Sequence, residues 1–232
     1  MNIAIMGAMV EEITPLLERF GEYKTVEIAN NKFYTLKYKN IDVTVAYSKI
    51  GKVNAALTAS ILINRFGAEK LLFSGVAGAI RDDLHIGDLI AAEALVQHDL
   101  DITVFGHPYG FVPESKVLIK ADTKLLKAAQ ETAKALNLTL KSGIIATGDQ
   151  FICDGAKKEW IRKTFEADAI EMEGAGVAFV CDALNIPFFI LRAISDAADA
   201  HAGFDFDEFL QSSSKISADF IISMLDKLEK QI

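Results

Sequence analysis

Short apolar runs rich in β-forming residues alternate along this chain with longer stretches of helical period, and this alternation limits the fold more than any other feature. It is the pattern of a mixed or parallel sheet covered by helices, so it predicts the α/β class. Several runs are rich in Val, Ile, Phe and Leu, as strands buried on both faces are. The predicted strands are 2–8, 32–38, 42–48, 69–76, 88–97, 140–147, 168–171 and 187–194. The predicted helices are 52–66, 122–137, 155–165, 173–184 and 206–230.

Two helical stretches differ in how clearly the sequence defines them. In 206–230, apolar residues recur three or four positions apart, a stripe that packs one helix face on the sheet as core. From Glu11 to Phe20 the chain also has helical character, but Pro15 would remove a hydrogen bond from the middle of such a helix. Either the helix kinks at Pro15, or Thr14 caps it and Pro15 occupies its first turn.

The length and net charge of the chain limit its domain organisation and the kinds of partner that it can bind. The 232 residues, 51% of them hydrophobic, are predicted to form one domain, 1–232, because no linker, repeat or low-complexity tract interrupts them. A formal net charge of -8 opposes binding to nucleic-acid phosphates and favours a small-molecule partner. The apolar N-terminus is too short for a secretory signal, and no run reaches membrane-spanning length. With Cys153 and Cys181 as reduced thiols, a cytoplasmic protein that binds neither nucleic acid nor membrane is expected.

Polar residues follow four of the apolar runs directly, where open α/β sheets bind their ligands. These segments are Gly7–Glu12, Phe73–Gly78, Ala169–Ala175 and Leu191–Asp196.

The acidic residues in these segments have both ordinary and functional interpretations. A lone Asp196 would most often cap a helix, but Ser195 beside it favours a site. Glu171 and Glu173 stand among apolar residues and are costly to bury alone, so either they pair structurally or they hold a polar ligand. Glu12 and its neighbour Glu11 would by default be solvated acids at a helix start, and only one of them needs to face a pocket.

Several other functional classes lack their signatures. The four histidines, His85, His98, His107 and His201, show no metal-ligand spacing, so no metal is predicted. The run Ser74–Gly78 has neither the G-x-S-x-G order of a nucleophile elbow nor a Walker or GxGxxG pattern. A serine hydrolase, a nucleoside triphosphatase and a Rossmann dehydrogenase are therefore disfavoured, and no cofactor is predicted.

Seven segments in order carry a family resemblance that runs the length of the chain. They are Gly7-Ala8-Met9 with Glu11-Glu12, Ser48 to Ala56, Ser74 to Gly78, His98-Asp99-Leu100-Asp101, Gly148-Asp149-Gln150-Phe151, Glu171 to Ala175, and Arg192 to Asp196. Together they resemble the methylthioadenosine/S-adenosylhomocysteine nucleosidases, a branch of the nucleoside phosphorylase superfamily. The resemblance implies a single-domain, three-layer α/β/α fold with a central mixed, twisted sheet.

The resemblance also implies an activity. Such enzymes hydrolyse the N-glycosidic bond of 5′-methylthioadenosine, S-adenosylhomocysteine and related 5′-modified adenine nucleosides, and some relatives prefer 6-amino-6-deoxyfutalosine. Asp196, assisted by Ser195, corresponds to the acid that protonates N7 of adenine, which requires a raised pKa. Glu12 corresponds to the base that deprotonates the attacking water, consistent with an acid and a base on opposite faces of the sugar.

The remaining site residues are also assigned from the resemblance. Glu173 is expected to hold the ribose hydroxyls, with Met172 against the sugar and Arg192 positioning the carboxylates. Phe151 is expected to stack on adenine, while the backbone of Ile152 reads its edge. Met9, Ile50 and Phe206 are expected to line the apolar 5′ pocket.

In the family, a neighbouring subunit supplies part of the site. Ile102, Phe105 and Pro113 take those positions here, which implies a homodimer. His107 stands where some relatives have an aromatic residue, so its role is left open.

One departure from many relatives concerns the choice between water and phosphate. Val76 replaces a serine, and Glu12 stands in a segment where phosphorylases carry an arginine. A carboxylate there would repel phosphate, so water is expected as the acceptor. A phosphate-dependent purine nucleoside phosphorylase remains the nearest alternative, and a nucleoside-binding protein without catalysis is a second.

Overall fold

A computed structural model describes residues 1–199 and 202–230 of the chain. The strands are β1 (Asn2–Gly7), β2 (Lys24–Ile28), β3 (Asn31–Tyr38), β4 (Ile41–Tyr47), β5 (Lys70–Ala79), β6 (Leu89–Gln97), β7 (Ile119–Lys120), β8 (Leu140–Thr147), β9 (Ala169–Glu171) and β10 (Phe188–Asp196). The helices are α1 (Val10–Phe20), α2 (Lys52–Asn64), α3 (Thr123–Ala135), α4 (Gly155–Phe165), α5 (Gly174–Ala183) and α6 (Ala202–Glu229). A short 3₁₀ turn covers Thr103–Phe105.

The sheet is partly open and partly closed, and β5 belongs to both parts. On one side of β5 the order continues through β1, β4, β3 and β2. On the other side, β5, β10, β6, β8 and β9 pair in sequence, and β9 returns to pair with the end of β5. The parallel pairs and the antiparallel pairs occur in the same sheet, so the predicted mixed sheet is confirmed.

Helices cover both faces of this sheet and give the three layers that the family resemblance implies. On one face, α2 and α5 bury Leu62 and Val177 in the core. On the other, α1, α3 and α6 bury Leu16, Leu125 and Met224. No helix within residues 1–199 and 202–230 has the length and hydropathy to cross a bilayer.

The first helix resolves the ambiguity at Pro15. It begins at Val10 and continues through Pro15, so Thr14 does not cap it. Instead, the Thr14 hydroxyl donates to the carbonyl of Val10 at 2.8 Å. Burial of Ile13 and Leu16 on the sheet stabilises the helix despite the hydrogen bond that proline removes.

The eight predicted strands and five predicted helices are all present, with ends that shift by a few residues. Two strands were missed. β2 is the outermost strand of the open part and is mostly exposed, so it carries no long apolar run. β7 has only two residues, which is too short for a recognisable pattern.

Strand register brings the polar segments to one place. β1, β5 and β10 are parallel, so their carboxyl ends lie at the same edge. β9 runs antiparallel to β5 and pairs Ile170 with Gly78, so the next residue, Glu171, continues back along β5. The polar segments that follow β1, β5 and β10 therefore meet because these strands are parallel. The segment that follows β9 joins them because β9 pairs antiparallel with the end of β5.

Candidate active site

A cavity of about 310 Å³ lies at the edge where these segments meet. Its wall contains most of the predicted site residues, together with several small neighbours. They are Ala8, Met9, Glu12, Ile50, Val76, Ala77, Gly78, Gln150, Phe151, Ile152, Ile170, Glu171, Met172, Glu173, Ser195, Asp196 and Phe206. The volume and the mostly apolar wall with a few acidic groups are typical of a small-molecule site.

Glu12 is buried at the start of α1, whereas Glu11 points to solvent. One oxygen of Glu12 accepts hydrogen bonds from the backbone N–H groups of Ala8 at 2.5 Å and Met9 at 3.0 Å. The other accepts from the N–H of Val76 at 3.1 Å. Burial raises the pKa of Glu12, although the Arg192 guanidinium and the three N–H groups oppose the rise. The carboxylate therefore fills a niche of backbone donors that could otherwise hold an external anion.

Glu171, part of the cavity wall, makes a buried ion pair with Arg192, at 2.6 Å between Oε2 and Nη2. The same carboxylate accepts from the backbone N–H groups of Glu173 at 3.0 Å and Gly174 at 2.7 Å, and from the hydroxyl of Thr147. The guanidinium lies 4.1 Å from the centre of the Phe73 ring. Glu171 thus pairs structurally, which is one of the two possibilities its sequence left open.

Glu173 faces the cavity from the cap of α5. Its Oε1 accepts from the N–H of Gly51 at 2.8 Å. Burial, reinforced by the neighbouring charge of Glu171, raises its pKa to about 8, although Arg192 and Gly51 oppose the rise. A buried carboxyl group with one oxygen free of this bond is suited to hydrogen bonding with substrate hydroxyl groups.

Asp196 lies at the end of β10 with its side chain in the cavity wall. The hydroxyl of Ser195 donates to Oδ2 at 2.8 Å, and the N–H of Ala198 donates to Oδ1 at 2.8 Å. Burial raises the pKa of Asp196 despite these two bonds, and the nearby charges of Asp205 and Asp199 add to the rise. A raised pKa is what the role of proton donor requires.

Gly75 and Gly78 have a role that the sequence alone did not reveal. A Cβ on Gly75 would lie 2.8 Å from Oε1 of Glu12 and 3.0 Å from Nη1 of Arg192. A Cβ on Gly78 would lie 2.7 Å from Oδ1 of Asp196. Both glycines lie near the end of β5 and leave space there for the acidic groups.

Two aromatic rings form the outer wall of the cavity. Phe151 and Phe206 meet edge to face, with ring centroids 5.9 Å apart. Phe151 and Ile50 are about half exposed, whereas Ile152 is buried. The cavity is thus lined by acids at its base and by apolar side chains near its opening.

The residues expected from a neighbouring subunit do not line the part of the cavity formed by residues 1–199 and 202–230. Ile102, Phe105 and Pro113 lie in the segment between β6 and β7, where Phe105 is 77% exposed and Val104 is 85% exposed. His107 stacks on Phe111 in the same segment, with centroids 4.6 Å apart. His201 lies outside the described residues.

The arrangement can cleave a bond between a sugar and a base. A carboxyl group with a raised pKa can protonate a leaving group, and a second carboxylate can accept a proton from water. Apolar walls would exclude bulk water and strengthen these interactions. Among the described residues, no group of three His, Cys, Asp or Glu side chains is placed to hold a metal ion.

Fold and site together identify the class to which the chain belongs. The model of the phosphorylase superfamily matches residues 2–226, and the chain is a member of that family.

Within this family, the chain is similar to several nucleosidases. The chain is 61% identical to the aminodeoxyfutalosine nucleosidase of Campylobacter jejuni, over 98% of this chain and 100% of that protein. It is 41% identical to a 5′-methylthioadenosine/S-adenosylhomocysteine nucleosidase of Geobacillus, over 99% of this chain and all of that one. A crystal structure of a Helicobacter pylori mutant nucleosidase with 5′-methylthioadenosine in its active site superposes with a TM-score of 0.96 at 48% identity, covering 97% of this chain and 98% of the other.

The raised pKa of Glu173 predicts a pH-dependent stability. Between its ordinary pKa of 4.5 and about 8, Glu173 is protonated in the folded protein and ionised in the unfolded chain. The folded state then binds more protons, so this group makes the free energy of unfolding decrease as pH rises through that window. Glu173→Gln should flatten the decrease in urea unfolding measured from pH 5 to pH 8. The same slope in both proteins would contradict the raised pKa.

Proposed function

We propose that Glu12 and Asp196 are the two catalytic residues with which this chain hydrolyses the N-glycosidic bond of 5′-modified adenine nucleosides. The chain is a nucleosidase that releases adenine and the free 5′-modified ribose. The observation that carries the proposal is the pair of buried carboxyl groups in one apolar cavity, both with raised pKa values.

In the proposed reaction, protonated Asp196 donates its proton to N7 of adenine. The bond between C1′ and the base nitrogen then breaks, and its electron pair goes to the purine ring. Glu12 takes a proton from water as the water oxygen bonds to C1′, so positive charge on the sugar is relieved by the nucleophile. Proton transfer from Glu12 to Asp196 through solvent restores the starting state.

Water is favoured over phosphate because Glu12 occupies the anion niche itself. Its two oxygens take the N–H groups of Ala8, Met9 and Val76. A phosphate ion would have to displace this carboxylate or approach it against charge repulsion.

The other proposed contacts come from the family resemblance, and they are supported by the residues that line the cavity. Phe151 stacks on adenine in this proposal, and the backbone of Ile152 reads the base edge; both residues line the cavity. Glu173 binds the ribose hydroxyls while Met172 packs on the sugar. Arg192 acts indirectly, since its ion pair is with Glu171 and its charge opposes the pKa rise of Glu12 and Glu173.

Met9, Ile50 and Phe206 form the pocket for the 5′ group. Because this pocket is apolar, it discriminates only moderately between 5′ substituents. The names of the C. jejuni and Geobacillus relatives support 6-amino-6-deoxyfutalosine, 5′-methylthioadenosine and S-adenosylhomocysteine as substrates.

A homodimer completes the site in this proposal, with Ile102, Phe105 and Pro113 supplied by the second subunit. Exposed apolar side chains support such an interface, because large exposed hydrophobic groups are typical of association surfaces. They include Val53, Leu57, Val104 and Phe105.

The proposal also includes a single domain over 1–232, of which residues 200, 201, 231 and 232 lie outside the described structure. It includes a cytoplasmic location as well, consistent with the free thiols of Cys153 and Cys181.

Adenine release in the absence of phosphate tests the choice of acceptor. Purified protein should release adenine and free methylthioribose from 5′-methylthioadenosine in phosphate-free buffer, at a rate that added phosphate does not increase. The same assay with S-adenosylhomocysteine and 6-amino-6-deoxyfutalosine compares kcat/KM for the three 5′ groups. A sugar 1-phosphate formed only with phosphate would indicate a phosphorylase, and no adenine from any substrate would favour a binding protein.

Asp196→Asn tests the acid. Asn keeps the size and polarity of the side chain but cannot supply the acidic proton, so kcat should fall by about 10²–10⁴-fold while the nucleoside still binds. Adenine release and calorimetric titration measure the two effects. Asp219→Asn is the matched control, because Asp219 pairs with Arg19 on the surface and should leave kcat unchanged. Full activity of Asp196→Asn would remove Asp196 from the mechanism.

Mixed dimers test whether Phe105 acts across the interface. Phe105→Ala should raise KM, since the substitution opens the 5′ pocket of the partner. When differently tagged Phe105→Ala and Asp196→Asn chains are co-expressed, the mixed dimer should regain one complete site with the wild-type KM and about half the kcat per dimer. If the mixed dimer keeps the raised KM, Phe105 acts within its own chain or not at all.

A further inference from the structure

Lys52, the first residue of α2, connects three segments of the chain that lie far apart in sequence. Its side chain is 16% exposed, and its ammonium group lies 2.5 Å from Oδ1 of Asp99 and 3.1 Å from the side-chain oxygen of Gln97. Oδ2 of Asp149 lies 4.0 Å from the same nitrogen. One cation therefore neutralises two carboxylates that would otherwise repel each other.

The backbone N–H groups at the start of α2 are bound by acidic side chains from two other segments of the chain. The N–H of Lys52 donates to Oδ1 of Asp149 at 2.8 Å, and the N–H of Gly51 donates to Glu173 at 2.8 Å. Helix α2 lacks a capping side chain of its own at Gly51, so Asp149 and Glu173 satisfy two N–H groups at its N-terminus. Negative charge at this end of a helix is also favoured by the helix dipole.

A further hydrogen bond closes the network. The N–H of Asp149 donates to Oδ2 of Asp99 at 2.8 Å. Burial opposes ionisation of Asp99, but the bonds from Lys52 and Asp149 outweigh it and lower the pKa of Asp99. Lys52, Asp99 and Asp149 thus form a closed network of ion pairs and backbone hydrogen bonds.

This network adjoins two parts of the cavity wall. Asp149 is followed by Gln150, Phe151 and Ile152, which line the cavity. On the other side, the N–H of Gly51 donates to the carboxyl group of Glu173. Close packing adds to the connection, because a Cβ on Gly176 in α5 would lie only 2.8 Å from the carbonyl oxygen of Lys52.

We propose that Lys52 is a positioning residue that fixes the segment 148–152 and Glu173 at the spacing needed to hold adenine and ribose together. Within residues 1–199 and 202–230, Lys52 is not part of the cavity wall, and it acts through Asp99, Asp149 and Gly51. The inference rests on the proposed roles of Phe151 and Glu173.

Lys52→Met removes the charge and keeps most of the side-chain length. Two carboxylates are then left without their cation, so segment 148–152 should move away from Glu173. We expect kcat/KM for 5′-methylthioadenosine to fall roughly 10- to 100-fold, mostly through a higher KM. Lys52→Arg should restore much of the loss, because it keeps the charge. Lys37→Met, which removes an exposed lysine paired with Asp42, is the matched control and should change neither constant.

A double variant distinguishes positioning from general loss of stability. If Lys52 acts by neutralising Asp99, then Lys52→Met combined with Asp99→Asn should lose less than the sum of the two single losses. Additive losses, or a lower kcat and melting temperature with an unchanged KM, would overturn the inference.

Hydrogen exchange decides the inference independently of the substrate roles. In the free protein, Lys52→Met should increase amide exchange in segment 148–152, and Lys37→Met should not; unchanged exchange in that segment would refute positioning by Lys52. Phe151→Ala and Glu173→Gln are measured beside it for KM. If these two leave KM unchanged while exchange still increases in Lys52→Met, the proposed substrate contacts fail and the positioning of the segment stands.

Discussion

A single buried guanidinium, that of Arg192, sits among three buried carboxyl groups, and the arrangement of the site depends on it. Its direct partner is Glu171, at 2.6 Å, while its charge also opposes the pKa rise of Glu12 and Glu173. Burying that many acids with one cation is costly, so each carboxyl group needs further hydrogen bonds. Backbone N–H groups supply them, and this requirement ties the ends of β5, α1 and α5 to one another.

The number of backbone N–H donors also differs between the acidic groups of the site. Glu12 receives three N–H groups and Glu171 receives two, in addition to Arg192, so their oxygens are fixed in place. Asp196 lies apart from the guanidinium and has only Ser195 and Ala198 as described donors. Burial is the largest influence on the pKa of Asp196, as it is for Glu12, but the opposing charge of Arg192 acts on Glu12. An acid and a base can coexist in one small cavity because their surroundings differ in this way.

The shared strand β5 explains how distant segments reach this cavity. Its glycines at 75 and 78 let Glu12 and Asp196 approach the backbone. Its end also accepts β9, whose antiparallel register returns Glu171 toward the site. The position of Glu171 and Glu173 after a strand indicates a ligand site by a rule for parallel strands, but it does not show which of the two pairs structurally. That decision follows from where Arg192 lies.

The sequence by itself determined the alternation of strands and helices, the buried stripe of α6 and the order of the motifs, because these depend on local periodicity and residue type. Taken alone, Glu11 and Glu12 could both have been solvated acids, and it was the family resemblance that pointed to Glu12 as the site residue. Only the tertiary structure decided that α1 continues through Pro15, that the sheet closes through β9, and that Lys52 connects Asp99 with Asp149 beside the bond from Gly51 to Glu173. These features depend on contacts between residues separated by tens of positions, where no local pattern carries the information and the balance of burial, charge and hydrogen bonding selects the outcome.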